Sequence, residues 1–127
     1  IDTYKTFMNG LEKLKIQLHQ VLLDIKTRKL KIAAYGASAK GTTLLNYFGI
    51  NANHLDFVVD KSTVKQGLYT PGTHLIIKDP QALDEEDIDY ALLLVWNFAD
   101  EIISQQHSFT DAGGHFIIPL PELRIVP

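Results

Sequence analysis

The residues best suited to chemistry are Gly36-Ala37-Ser38-Ala39-Lys40-Gly41, which directly follow the apolar run Leu30 to Tyr35 and open the helical stretch Thr42 to Phe48. A strand that breaks at glycine and re-enters a helix aims unpaired backbone N–H groups and the positive end of the helix dipole at one spot, which suits a phosphate. Two cradle patterns bear on this turn. In the dinucleotide fingerprint, Gly36 and Gly41 hold the first and third glycine positions, while Ser38 replaces the middle glycine that lets a pyrophosphate approach the backbone. Asp60 follows at about the separation needed to hold a ribose hydroxyl, so NAD binding stays open in degraded form. In the P-loop pattern the two glycines are correctly separated, but Thr42 stands where lysine belongs and Lys40 precedes Gly41, which disfavours ATP hydrolysis. What remains is the Ser38 hydroxyl, the Lys40 ammonium and the threonines at 42 and 43, a set able to hold a diphosphate by side chains as well as by backbone. The competing reading is structural: the glycines permit tight strand-to-helix packing.

The elements that must position this turn read as an alternation of short apolar runs and helical stretches. Strands are expected at Lys31 to Tyr35, Leu55 to Val59, His74 to Ile77, Tyr90 to Val95 and His115 to Ile118. Helices are expected at Lys40 to Phe48, near Pro80 to Leu83, and at Phe98 to His107, the last with Asn97 as N-cap. Strands separated by helical stretches argue for βαβ units, a largely parallel sheet and helices on both faces. The fold class is α/β, Rossmann-like: a three-layer α/β/α arrangement around a mostly parallel five-stranded sheet of order 3-2-1-4-5. Ahead of it, Tyr4, Met8, Leu11, Leu14, Leu18, Leu22 and Ile25 recur at helical spacing, which predicts an amphipathic helix within residues 1–29, docked on the sheet. Residues 1–127 are thus read as one domain, with residues 30–127 as its α/β core. The segment Lys61 to Thr73 has no helical period and is expected to be a structured loop, and the proline-rich tail Pro119 to Pro127 to run extended over the surface.

In an open parallel sheet a ligand sits beyond the carboxyl ends of the strands, where the strand order reverses. This selects Gly36 to Gly41, then Asp60 and Lys61, then Trp96-Asn97-Phe98. Trp96 suits stacking on a base or sugar and Asn97 suits a hydrogen bond to a ligand. The alternatives are edge-of-core packing for Trp96 and helix capping for Asn97. Lys65, Tyr69 and His74 lie in or beside the long loop, positioned to close over the same crevice.

Composition narrows the classes. A chain of 127 residues with 46% hydrophobic content has enough material for one real core. A net charge of −3 and a pI near 5.9 give no general attraction to nucleic acid or anionic lipid, so neither is an expected partner. There is no cysteine, hence no disulfide framework and no thiolate metal site, and the five histidines show no metal-ligand spacing. No serine has the nucleophile-elbow context, and Asp84-Glu85-Glu86-Asp87 reads as a solvated turn. No self-sufficient active site emerges. The longest apolar run, Tyr90 to Trp96, is far short of a membrane span, and a cytoplasmic location is expected. A start at Ile1, already within a helical pattern, gives the expectation of a piece of a longer protein.

The ordered set Tyr35-Gly36-Ala37-Ser38-Ala39-Lys40-Gly41, Asn46-Tyr47, Val58-Val59-Asp60-Lys61, Lys65-Gln66-Gly67-x-Tyr69-x-Pro71-Gly72-Thr73-His74, Trp96-Asn97 and Gly113-Gly114-His115-Phe116-Ile117-Ile118-Pro119 resembles the C-terminal domain of the SAM-dependent sugar C-methyltransferases. The likeness runs from about Lys31 to Val126. It implies a parent enzyme with an N-terminal zinc-binding segment and a central SAM-binding domain, which methylates a carbon of a nucleotide-linked deoxy-keto sugar. The proton next to the carbonyl is removed and the enolate attacks the SAM methyl group. For this chain the resemblance implies a supporting, substrate-embracing role with no cofactor of its own. Its partners would be the central domain and the nucleotide-diphosphate sugar. Strand-end geometry then puts Gly36, Ser38, Lys40 and Gly41 at the diphosphate and Asp60, Trp96 and Asn97 near the nucleotide or sugar. The zinc cysteines, the SAM motif and the central-domain base are absent from these residues, so this chain alone is not expected to transfer a methyl group. Two other readings are an NAD(P)-binding domain of an oxidoreductase, with Asp60 on the ribose, and an interaction module docking through its first helix.

Overall fold

Ile32–Tyr35 form β1 at the centre of the sheet, and all of its residues are buried. A strand covered on both faces reads as an unbroken apolar run. Ile32 and Ala34 enter the core layer on one face, Ala33 and Tyr35 the layer on the other, as period-two alternation requires. The computed structural model describes residues 2–120 and 122–126. Parallel to β1 run β2 (Val58–Val59) and β4 (Tyr90–Leu93); β3 (Ile77–Lys78) joins β2, and β5 (His115–Ile118) joins β4. The expected α/β class and the order 3-2-1-4-5 are both found. A sixth strand, β6 (Arg124–Val126), extends the order to β3-β2-β1-β4-β5-β6 and is antiparallel to β5.

One face of the sheet is covered by α1 (Asp2–Thr27) and α2 (Ala39–Phe48), the other by α3 (Ala82–Glu85), α4 (Ala99–Gln105) and α5 (His107–Asp111). Leu14, Leu18, Leu22 and Ile25 are buried and anchor α1 on the sheet, whereas Tyr4, at the other end of the expected stripe, is 69% exposed. The first turns of α1 therefore stand clear of this domain's core. α2 ends in a left-handed Gly49 (φ +69°), and the Ile50 N–H returns to the Leu45 carbonyl at 2.9 Å. This is a Schellman-type stop that glycine accommodates.

Two expectations are corrected, and the structured loop expected over Lys61 to Thr73 is found, with its backbone pairing now explicit. The tail does not merely run over the surface. Leu120 and Leu123 pack on the α1 side of the core, and Ile125 pairs with Ile117 in the β5–β6 ladder. The segment after β2 is a hairpin, in which Gly67 N–H donates to Ile77 O, Ile77 N–H to Leu68 O and Thr70 N–H to Leu75 O, each at 2.8 Å. The third strand is shorter than expected: it begins at Ile77, just after an antiparallel bridge between Tyr69 and Ile76. Finally, Asn97 does not cap a helix Phe98 to His107. Trp96–Phe98 form a 3₁₀ turn, α4 starts at Ala99, and the helix breaks at Gln106 before α5. The tight turn forms because the Phe98 N–H bonds the Val95 carbonyl at 3.0 Å, putting Phe98 in the capping position, with no side-chain cap. Among the described residues no helix is long and apolar enough to cross a membrane.

Candidate functional site

The turn after β1 lies where the strand order reverses. Gly36 N–H donates to Val59 O on one side and Leu94 N–H donates to Tyr35 O on the other, both at 2.8 Å. Gly36 has φ +100°, and a Cβ there would stand 2.8 Å from a Val95 methyl; at Gly41 it would stand 2.6 Å from Leu94 Cβ. Both glycines are thus required by how closely α2 enters against the sheet, whatever else the turn does. Ser38 is the N-cap of α2, and its Oγ accepts the Gly41 N–H at 3.0 Å. Its hydroxyl proton remains available as a donor.

Asp60, half-buried at the end of β2, faces into this turn: Oδ2 accepts the Ala37 N–H and Oδ1 the Ser62 N–H, each at 2.8 Å. A carboxylate therefore already neutralises part of the positive end of α2, and the N–H groups of Ala37 and Gly41 are satisfied within the protein. Asp60 is engaged where the dinucleotide reading would need it on a ribose. Positive charge at this edge comes from side chains instead. Lys65 crosses from the hairpin and donates through Nζ to Ala37 O at 3.2 Å, and Lys40 is exposed in the first turn of α2. Lys61 reaches the other way, to Gln105 of α4. Of the loop residues expected over the crevice, only Lys65 reaches the turn. Tyr69 and His74 pack against each other as tilted rings with centroids 5.9 Å apart, in the half of the hairpin whose tip Asn46 holds through Pro71 O at 3.2 Å.

Trp96 is half-buried against the α4 side of the core, alongside Val95 and Ile103, while Asn97 and Phe98 are exposed. Together with Asp100, Glu101 and Arg124 they line a shallow depression of about 300 Å³. Arg124 pairs with Ile118, the last residue of β5, so the antiparallel β6 delivers a guanidinium to the carboxyl edge of the parallel strands. Sequence reasoning missed it. The available signal was the β-branched Ile125-Val126 following a proline-bounded reversal after β5, which reads as a returning strand.

Other titratable groups serve the fold. The buried Tyr35 phenol accepts from Gln106 Nε2 at 3.3 Å, and burial raises its pKa above the usual value, so it stays protonated. His19 Nε2 lies 2.6 Å from Phe48 O, and His54 accepts the Asn51 N–H on Nδ1 at 3.2 Å. Burial, followed by the neighbouring charges of His19 and Lys26, holds His54 below its ordinary range. Among the described residues no three His, Asp or Glu side chains converge as metal ligands.

Residues 1–121 match the family described as the C-methyltransferase C-terminal domain. The chain is also 35% identical over 123 residues to C-methyltransferase NovU of Streptomyces niveus, an alignment covering 97% of this chain and 29% of that protein. It therefore spans less than a third of the relative's length. On this match, and with an α/β fold of the expected order, the chain belongs to the family of C-methyltransferase C-terminal domains.

Proposed function

We propose that this domain forms one wall of the substrate cleft of a SAM-dependent C-methyltransferase acting on a nucleotide-linked deoxy-keto sugar. The observation that carries the reading is Lys65, which leaves the hairpin to sit on the Ala37 carbonyl, on the edge that also presents Lys40 and Trp96. A diphosphate crossing that edge meets two flexible ammonium groups and the hydroxyl of Ser38. Gly36 and Gly41 let α2 begin close beneath it, Asp60 fixes the turn, and Trp96 and Asn97 face the nucleotide or sugar. The other wall is the central methyltransferase domain of the longer enzyme.

SAM, when bound, supplies the methyl group, and we assign it, with zinc, to segments outside this chain. The turn is a poor fit for it: SAM carries a sulfonium and no phosphate, and the groups presented at this edge are the ammonium ions of Lys40 and Lys65. The chain by itself is not expected to transfer a methyl group. Its expected contribution is to bind and orient the anionic substrate, in a cytoplasmic enzyme.

An amide-resolved NMR titration with thymidine diphosphate, NAD and SAM in parallel tests this. Thymidine diphosphate is expected to shift Ala37 to Gly41, Lys65 and Trp96-Asn97, and SAM to shift none of them. A response to NAD alone would move the assignment to a dinucleotide domain. Silence towards thymidine diphosphate at millimolar concentration would count against a nucleotide site on this wall.

A further inference from the structure

Resting on that reading, we propose that the depression lined by Trp96, Asn97, Asp100, Glu101 and Arg124 is a seat for a sugar ring, recognised through its hydroxyl groups. Its volume, about 300 Å³, is at the small end of ligand sites and near the scale of a single ring. Trp96 is half-buried and packs on the core cluster of the α4 side, and its indole offers an apolar face and one N–H donor.

The polar lining is mixed in a specific way. Arg124 only donates, the carboxylates of Asp100 and Glu101 only accept, and Asn97 does both. Three separate elements bring them together: β6, α4 and the 3₁₀ turn. Among the described residues the ion pairs join Arg28 to Asp24 and Lys78 to Glu86, so Arg124, Asp100 and Glu101 line the depression without an ion pair among them. A phosphate placed there would gain Arg124 but confront two carboxylates, and an ammonium would meet the reverse. A hydroxyl donates and accepts at once, so adjacent hydroxyls on a neutral ring match both kinds of partner while the C–H face of the ring lies on Trp96.

The position along the sheet fits an extended ligand. The depression follows β4, the neighbour of β1, and so opens on the same carboxyl edge of the sheet as the turn after β1. The ring is either the ribose of the nucleotide or the hexose, and the shared chemistry is a set of ring hydroxyls.

Trp96 is the single tryptophan of the chain, so its indole N–H gives one unambiguous NMR signal. Four probes are titrated: uridine, thymidine, a methyl 6-deoxyhexopyranoside and inorganic pyrophosphate. The hexoside or uridine is expected to shift the Trp96 indole and the Asn97 side-chain amide with millimolar affinity, and pyrophosphate to leave them in place. A response to the hexoside identifies the hexose as the occupant, and a response to uridine exceeding that to thymidine identifies the ribose diol. Arg124→Gln and Glu101→Gln should each weaken the effective probe about fivefold, and Trp96→Ala should weaken it further, reported by the Asn97 amide, with native spectral dispersion in all three. A Trp96 signal that moves with pyrophosphate alone, or with no probe at tens of millimolar, overturns the proposal. If thymidine diphosphate still shifts Lys40 and Lys65 in that case, the diphosphate wall stands and only the sugar seat falls.

Discussion

The Asp60 carboxylate accepts the Ala37 N–H at 2.8 Å, which ties the end of β2 to the first residue beyond the glycine that ends β1. With its second oxygen on the Ser62 N–H, this side chain fixes both the turn before α2 and the start of the hairpin. Hydrogen bonds to a charged group contribute about 1.5–3 kcal/mol, and removing the acceptor leaves two donors short of a partner. Asp60→Ala is therefore expected to lower unfolding stability by about 2–3 kcal/mol, and Asp60→Asn, which keeps one acceptor, by about 1–2 kcal/mol. Urea denaturation measures both. An unchanged midpoint would mean that the carboxylate is reserved for a ligand.

The two turn glycines fail for different reasons. Gly41→Ala drives a methyl to 2.6 Å from Leu94 Cβ and 3.0 Å from the Leu94 carbonyl, so the clash involves backbone. Gly36→Ala meets Val95 methyls at 2.8 Å and also forces a left-handed φ on alanine. Each should cost about 2–3 kcal/mol by thermal or urea unfolding. Adding Val95→Ala should recover only part of the Gly36→Ala loss, because space returns and backbone strain does not. Full recovery would show that φ is unimportant there.

Lys40 and Lys65 are exposed, and their charges should matter to a ligand far more than to the fold. Lys40→Gln and Lys65→Gln are each expected to weaken thymidine diphosphate about three- to fivefold, an effect that shrinks as salt is raised, with unfolding midpoints unchanged. Isothermal calorimetry at two ionic strengths checks this. Equal affinity in the double variant would place the diphosphate elsewhere.

His54 makes stability depend on pH. Nδ1 accepts the Asn51 N–H, so the ring is neutral with its proton on Nε2. Burial and the charges of His19 and Lys26 hold the folded-state pKa below the ordinary 6.5, so the unfolded chain takes up the proton first. The contribution is complete above the unfolded value and is lost as pH falls from there through the folded one. The ring is only partly buried, so the loss should be about a few tenths of a kcal/mol after solvent screening. His54→Gln, whose amide oxygen still offers an acceptor, should flatten that part of the stability profile. A profile identical to that of the parent chain would assign the slope to other groups.

The central strands were legible because β1 and β4 are unbroken apolar runs flanked by a glycine turn and helical spacing, and their alternation with helical stretches gives a parallel sheet with right-handed crossovers. Gly36, Gly41 and Asp60 were legible as a constellation, but not the direction in which Asp60 points, since its partners at Ala37 and Ser62 are set by the meeting of two strands. Arg124 and the hairpin over β3 were missed for the same reason: each depends on pairing between segments whose local pattern is short and interrupted by proline or glycine. Asn97 illustrates the opposite error, a residue type that favours capping overruled by the 3₁₀ turn at Trp96–Phe98.

The hairpin has a final consequence at the rim of the sheet. β3 has only two residues, and both backbone polar groups of Ile77 that turn away from β2 are already bonded, its N–H to Leu68 and its carbonyl to Gly67. An edge sealed by its own chain offers no template for strand addition, the route by which exposed edges recruit foreign strands and seed aggregates. Along that border β3 itself is out of reach, and what the protein shows another polypeptide is the hairpin, with Val64, Leu68 and Tyr69 exposed on it.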